Sequence, residues 1–382
     1  MNNFRKMSFD TAKRIVVKIG SGVLTESYGL NVNVIRSISR QISGLIKEGR
    51  EVILVSSGAM ASGIRKIGLD MRPDEIPLRQ AVAAVGQAGL IQEYETGFVQ
   101  YGIKVAQILL TSDDLSNRQR YLNARNTLNA LLNWNVVPII NENDTVAVEE
   151  IQFGDNDNLA AMITLQMDAD ILINLTDING LYDKDPRSNS DARLIETIET
   201  INQDINKLAS EIPGALGTGG MLSKVKAAGK VTSAGIPMVI ARGDEDEVLI
   251  KLFAGEKMGT FFIPKEKKLP SRKCWIALTL KSEGVVIIDD GAVDAIVERG
   301  KSLLPIGIVD VEGNFKEGAS IKFLDKNGEE LGSGLVNYSA VDIRKIMGLK
   351  TKQISDTLGD KPYDEVVHRD NMVLTVDGTC TI

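Results

Sequence analysis

Apolar residues in this chain come in short unbroken runs, and the runs recur between longer stretches with helical spacing. The runs are Arg14–Ile19 (RIVVKI), Glu51–Val55 (EVILV), Ile103–Leu110 (IKVAQILL), Val136–Ile140 (VVPII), Asp170–Leu175 (DILINL) and Ile236–Ala241 (IPMVIA). Apolar side chains on successive positions, many β-branched, suit strands buried on both faces, as in a parallel sheet covered by helices. Between them Asn31–Glu48, Leu78–Gln100, Ser116–Asn133 and Leu222–Ala234 repeat apolar positions at the helical period. This alternation predicts an α/β sandwich with a mostly parallel central sheet over residues 1–264.

The texture then changes. Pro264–Arg272 (PKEKKLPSR) is charged and carries two prolines, which reads as a linker over 265–272. Beyond it, Val285–Ile288, Ala319–Phe323 and Gly334–Val336 are short strand-like runs between glycine-rich turns, with one helical piece at Gly291–Arg299. A small β-rich domain over 273–365 is expected, with 366–382 as a tail outside it.

Composition narrows the function classes. The 382 residues are 43% hydrophobic and 25% charged, ordinary for a soluble globular chain of two or three domains. A net charge of -7 argues against a general nucleic-acid or membrane-surface binder, though not against a local basic patch. Cys274 and Cys380 stand far apart with no CxxC spacing, so neither a disulfide framework nor a structural zinc site is expected. The N-terminus has no apolar run before the first strand, and no stretch approaches the roughly 18 apolar residues of a membrane span. The expected compartment is the cytoplasm. The single histidine, His368, lies near the C-terminus, so chemistry in the larger domain has no imidazole base.

In a parallel α/β sheet, ligands bind beyond the carboxyl ends of the strands. There the sequence places Gly20-Ser21-Gly22, Ser56-Ser57-Gly58, Asn141-Glu142-Asn143-Asp144 and Thr176-Asp177. Gly20-Ser21-Gly22 lets backbone N–H groups approach a phosphate, or is a plain turn; the third glycine of a dinucleotide fingerprint is replaced by Thr25, and no GxxxxGK[ST] loop exists. Lys18 interrupts an otherwise apolar strand, so its ammonium needs a negative partner, either a structural carboxylate or a phosphate. Gly217-Thr218-Gly219-Gly220-Met221-Leu222-Ser223-Lys224 opens a helix, and glycines with hydroxyls at a helix N-terminus form an anion-binding nest to which Lys224 adds charge. A flexible loop is the alternative. Carboxylates and amides crowd Asn141–Asp144 and Gly154–Asp157, suited to a polar substrate or to Mg2+, or simply to Asx turns. The missing histidine fits this set. A carboxylate acceptor is already ionised at neutral pH and needs no base, only charge neutralisation and positioning.

The motifs VVKIGSGVLT (16–25), VSSGAMASG (55–63), AAVGQ (83–87), PIINENDTVAVEEI leading to FGDNDNLAA (138–161), LTDINGLYDKDPR (175–187) and GTGGMLSK (217–224) together resemble those of the bacterial glutamate 5-kinases, in the amino acid kinase family. Residues 273–350 resemble a PUA domain, most clearly at GAVDAIVERGKSLLPIGI (291–308). The resemblance implies an open αβα sandwich that phosphorylates the γ-carboxylate of L-glutamate with ATP and Mg2+, the first step of proline synthesis. It implies catalytic roles for Lys18, Lys224 and Asp157, and glutamate binding by Ser57, Asp144 and Asn156. ATP contacts would come from Lys18, Thr176, Asp177, Thr218, Gly219, Gly220, Met221, Leu222, Ser223 and Lys224. It further implies a homo-oligomer, feedback inhibition by proline, and hand-off of the acyl phosphate to glutamate-5-semialdehyde dehydrogenase; RNA binding through the PUA domain is the alternative function. Gly22 stands where many relatives carry serine, and Ser56 and Ser223 where threonine is frequent.

Overall fold

A computed structural model of the chain describes residues 2–26, 29–147, 156–212, 220–265, 271–278, 280–359, 362–376 and 379–381. The fold divides into two compact units, Met1–Lys268 and Leu269–Ile382.

In the first unit α1 (Asn2–Thr11) precedes β1 (Arg14–Ile19), a helix that the sequence pattern did not announce. The chain continues through α2 (Ser21–Leu24), the hairpin β2–β3 (Thr25–Glu26, Gly29–Leu30), α3 (Val32–Lys47), β4 (Glu51–Ser56), α4 (Ala59–Ile67) and α5 (Ile76–Val99). Then come β5 (Lys104–Leu110), α6 (Ser112–Ser116), α7 (Arg118–Asn133), β6 (Val136–Glu142), α8 (Asn156–Gln166) and β7 (Ile171–Thr176). The unit closes with β8 (Thr197–Ile198), α9 (Gln203–Ser210), α10 (Met221–Ser233), β9 (Met238–Arg242), α11 (Val248–Phe253) and β10 (Thr260–Phe262).

Eight strands form one sheet in the order β5-β6-β4-β1-β7-β9-β10-β8. Neighbours are parallel except β9 and β10. β1 lies centrally, and Ile15 to Ile19 are all buried, as an unbroken apolar run requires. Its register sets Lys18 beside Val55 of β4 and Asn174 of β7, and Ile19 beside Ser56 and Leu175. Gly20, Ser57, Asn143 and Asp177 therefore emerge along one rim.

Two motif glycines serve packing. A Cβ on Gly86 would sit 1.7 Å from the Ala59 carbonyl, and one on Gly63 would sit 1.9 Å from that of Val82. The backbones of α4 and α5 touch at these points, which fixes the start of α4 just after Gly58.

The second unit contains α12 (Ser271–Leu278), β11 (Gly284–Ile288), α13 (Asp290–Val297), β12 (Ile308–Gly313), β13 (Ser320–Leu324), β14 (Glu330–Leu335), α14 (Ala340–Ile346), α15 (Ile354–Leu358), β15 (Met372–Val376) and β16 (Thr379–Thr381). Its sheet order is β12-β11-β13-β14-β15-β16. The expected tail at 366–382 is corrected here. β15 pairs with β14, Val366 and Val367 are fully buried, and Val367 bridges to Leu303. Met372 and Leu374 belong to the same core as Val286 and Phe323. Of the expected linker 265–272, residues 266–270 lie outside the described set, and α12 begins at Ser271.

Candidate active site

The centre of the rim is Asp157, in the first turn of α8 and fully buried. Two lysines converge on it. Lys18 arrives from β1 and pairs with Oδ1, while Lys224 arrives from α10 with its Nζ 3.1 Å from Oδ2. Both lysines are almost fully buried. Two neutral donors complete the cluster: Asn174 Nδ2 donates to Oδ1 at 2.8 Å, and Ser223 Oγ donates to Oδ2 at 2.8 Å. Two ammonium groups thus meet at one carboxylate in a buried setting. That arrangement favours an arriving polyanion.

Asn156, one residue earlier, faces the neighbouring strands. Its Nδ2 lies 3.0 Å from Ser57 Oγ, 2.9 Å from Asn141 Oδ1 and 3.2 Å from the Ser56 carbonyl. The ends of β4, β6 and α8 are thereby tied together. The buried Oδ1 atoms of Asn156 and Asn174 have no partner among the described residues. A buried, unanswered carbonyl costs free energy, which marks both amides as functional candidates. Asp144 follows on the same loop, and burial pushes its carboxyl above the usual carboxylate range, with Arg72 pulling it part of the way back.

On the other side, Thr176 ends β7 with its Oγ1 donating to Asp177 Oδ1 at 3.0 Å. A Cβ on Gly22 would come within 3.2 Å of Asp177 Cβ and Cγ. The glycine at this position thus lets Asp177 close against the turn after β1. Gly220 caps α10 without a side-chain hydrogen bond; Met221 is buried and Leu222 half-buried behind it. Thr218 and Gly219 lie outside the described residues, as do Gly154 and Asp155.

The structure thus brings Lys18, Lys224, Asp157 and Ser223 into one cluster, and Ser57 and Asn156 into a second beside it. Asp144, Thr176 and Asp177 stand on the same rim, without a described contact to either cluster. Asn174 and Tyr94 escaped the sequence reading. Asn174 had a signal: a polar residue inside the apolar run DILINL is the same anomaly that singled out Lys18. Tyr94 of α5 had none, because a tyrosine at helical spacing reads as core. It is fully buried, yet its hydroxyl lies 2.9 Å from Ser56 Oγ. Among the described residues no group of three or more His, Cys, Asp or Glu stands together as a metal site.

Comparison with known proteins adds the lineage. The amino acid kinase family model matches residues 13–242, and the PUA domain model matches 284–358. The chain is 51% identical to the glutamate 5-kinase of Syntrophus aciditrophicus, covering 98% of this chain and 97% of that one. It is 50% identical to the glutamate 5-kinase of Caldanaerobacter subterraneus subsp. tengcongensis over 96% and 98% of the two chains. For that of Geobacter sulfurreducens the figures are 48% identity over 95% and 97%. Among solved structures, carbamate kinase from Giardia lamblia bound to AMP-PNP superposes with a TM-score of 0.50 at 17% identity, over 67% of this chain and all of that one, a likeness of fold. This chain belongs to the amino acid kinase family, and within it to the glutamate 5-kinases.

Proposed function

We infer that the chain transfers the γ-phosphoryl group of ATP to the side-chain carboxylate of L-glutamate, giving L-glutamyl 5-phosphate for proline synthesis. The observation that carries the mechanism is the buried pairing of Lys18 and Lys224 on Asp157. Phosphoryl transfer spreads negative charge over the equatorial oxygens, and two preorganised cations in a dry cleft stabilise it. Asp157 holds both ammonium groups in place. Asn174 and Ser223, by donating to it, fix its carboxylate plane.

The acceptor fits the other half of the rim. Ser57 Oγ, which accepts from Asn156, keeps its own proton to donate to a carboxylate, while the unanswered Asn156 Oδ1 and the Asp144 carboxylate offer acceptors to the substrate ammonium. A half-buried carboxylate held above its usual range gains when a cation arrives. The glutamate side chain attacks as an anion, so no base is needed, in keeping with the absence of imidazole from the unit that holds this site.

ATP would lie along Thr176, Asp177 and the Thr218–Lys224 loop. Asp157 is engaged by four side chains, so Mg2+ fits here as an ion held by the nucleotide phosphates and water rather than by a protein cage. When bound, it would neutralise phosphate charge. Its binding, a homo-oligomeric state, proline inhibition, hand-off of the labile acyl phosphate to a dehydrogenase and a cytoplasmic setting remain parts of the proposal. Among the described residues no helix is long and apolar enough to cross a membrane. The relatives that match across the PUA domain as well are named as kinases, which lends nothing to an RNA-binding role.

The direct test is ADP release with ATP and Mg2+, comparing glutamate with aspartate, with and without proline. Turnover with aspartate and none with glutamate would overturn the acceptor assignment.

A further inference from the structure

Behind the acceptor loop lies a hydrogen-bonded chain that the mechanism above does not use. Ser56 is fully buried at the end of β4, and its Oγ donates to the Ser57 carbonyl at 3.0 Å. A serine hydroxyl has a single proton. Either oxygen could donate across the 2.9 Å contact between Ser56 Oγ and the Tyr94 hydroxyl; with the serine proton on the Ser57 carbonyl, the phenol is the donor. The relay therefore runs from Tyr94 O–H to Ser56 Oγ, and from Ser56 O–H to the Ser57 carbonyl.

The relay has a fixed base. α5, which carries Tyr94, is locked backbone to backbone on α4 at Gly63 and Gly86. Tyr94 sits in the main core cluster with Leu24, Leu30, Leu90 and Phe98. Burial holds the phenol neutral and protonated, so it remains a donor.

The free end of the relay is the Ser57–Gly58 peptide. In a planar trans peptide, anchoring the carbonyl also sets the direction of the following N–H. Gly58 adopts φ +106, and α4 begins after it without a side-chain cap. The rest of the loop is tied by Ser57 N–H to the Ile19 carbonyl at 3.2 Å and by Asn156 to Ser57 Oγ. Tyr94 supplies the hold from beneath.

We propose that Tyr94 is a positioning residue for acceptor binding, acting through the hydroxyl of Ser56 to set the Ser57–Gly58 peptide against the glutamate carboxylate. This rests on the assignment of the Ser57 loop to the acceptor and goes beyond it, since Tyr94 touches neither substrate.

The test is steady-state kinetics on the full chain, comparing wild type with Tyr94→Phe, Ser56→Ala and the double variant, with melting temperatures alongside. Tyr94→Phe keeps the ring and its packing. It is expected to raise the KM for glutamate about three- to tenfold, while kcat and the KM for ATP stay within about twofold. Ser56→Ala reads the same relay from its other end and should raise the glutamate KM at least as far. Because Tyr94 acts only through Ser56, the double variant should be no worse than Ser56→Ala alone. Additive losses in the double variant would overturn the proposal. So would a Tyr94→Phe protein that melts earlier with an unchanged glutamate KM, or one in which both substrate KM values rise together. A wild-type protein that does not turn over glutamate would instead remove the acceptor assignment, and this inference with it.

Discussion

Replacing Asp157 with asparagine keeps the side chain's shape and removes the charge on which Lys18 and Lys224 converge. In an effective dielectric of about 20, opposite unit charges 3.1 Å apart attract by about 5 kcal/mol. Much of that is spent on desolvation when the groups are buried, but a variant that removes one partner does not recover the remainder. The lysines stay buried while their counter-charge is gone, a change that costs about 3–5 kcal/mol. An asparagine amide would also turn an N–H2 towards a group that now donates to Asp157, whichever way it faces. For a unit of this size, about 2–4 °C of melting temperature accompanies each kcal/mol, so a fall of about 6–20 °C is expected. Differential scanning calorimetry is the suitable assay, since the two units can melt separately. The diagnostic part is the response to ATP. Phosphate oxygens can replace the missing carboxylate, so nucleotide should raise the melting temperature of Asp157→Asn by more than it raises that of the wild type. A variant that melts with the wild type, or gains less from ATP, would show that Asp157 does not balance the two lysines.

Three further changes test separate parts of the site and fold. Lys224→Ala should lower kcat about a hundredfold or more, equivalent to about 3 kcal/mol of transition-state stabilisation, and unchanged turnover would remove it from the mechanism. Asp144→Asn should raise the glutamate KM and also raise the melting temperature at pH 7. Burial lifts the folded carboxyl above its unfolded value, so its ionised form burdens the fold above that range, and the advantage of asparagine should vanish as pH falls towards about 4; an earlier-melting variant at pH 7 would contradict this. Ending the chain after Glu365 should unfold the second unit, seen as rapid proteolysis beyond residue 270, because β15 supplies buried Met372, Val373 and Leu374; a protease-resistant unit would restore the reading of 366–382 as a tail.

The parallel sheet was readable because burial on both faces forces an unbroken apolar run, a pattern that few other environments produce. The same logic found Lys18, since a charge inside such a run needs a reason. It should also have found Asn174, whose amide interrupts β7 at the strand position paired with Lys18. The second unit was less legible. Its strands are short and bounded by glycine turns, and β15 is separated from its partner β14 by a stretch that includes α14 and α15. A strand whose partner is remote in sequence carries no local sign of membership, so its apolar residues looked like an extension. Gly86, inside the AAVGQ motif, admits a carbonyl of the neighbouring helix.

Asn156 and Asp157 explain why the two halves of the site could be read from one short motif. They are consecutive at the start of α8, and consecutive helical residues point about 100° apart. One therefore turns to Ser57 and Asn141 at the ends of β4 and β6, and the other to Lys18 and Lys224 from β1 and α10. On the proposed assignment, a single helical turn would set the spacing between the acceptor pocket and the two cations. A shift of α8 would move Asn156 and Asp157 together, while Lys18, Lys224 and Ser57 belong to β1, α10 and the loop after β4. This coupling makes the order of the two residues consequential. Exchanging them, by Asn156→Asp with Asp157→Asn, keeps composition and net charge but turns the carboxylate away from both lysines. The exchanged protein should lose turnover at least as severely as Asp157→Asn alone, and recovery of activity would mean that charge near the site suffices without this geometry.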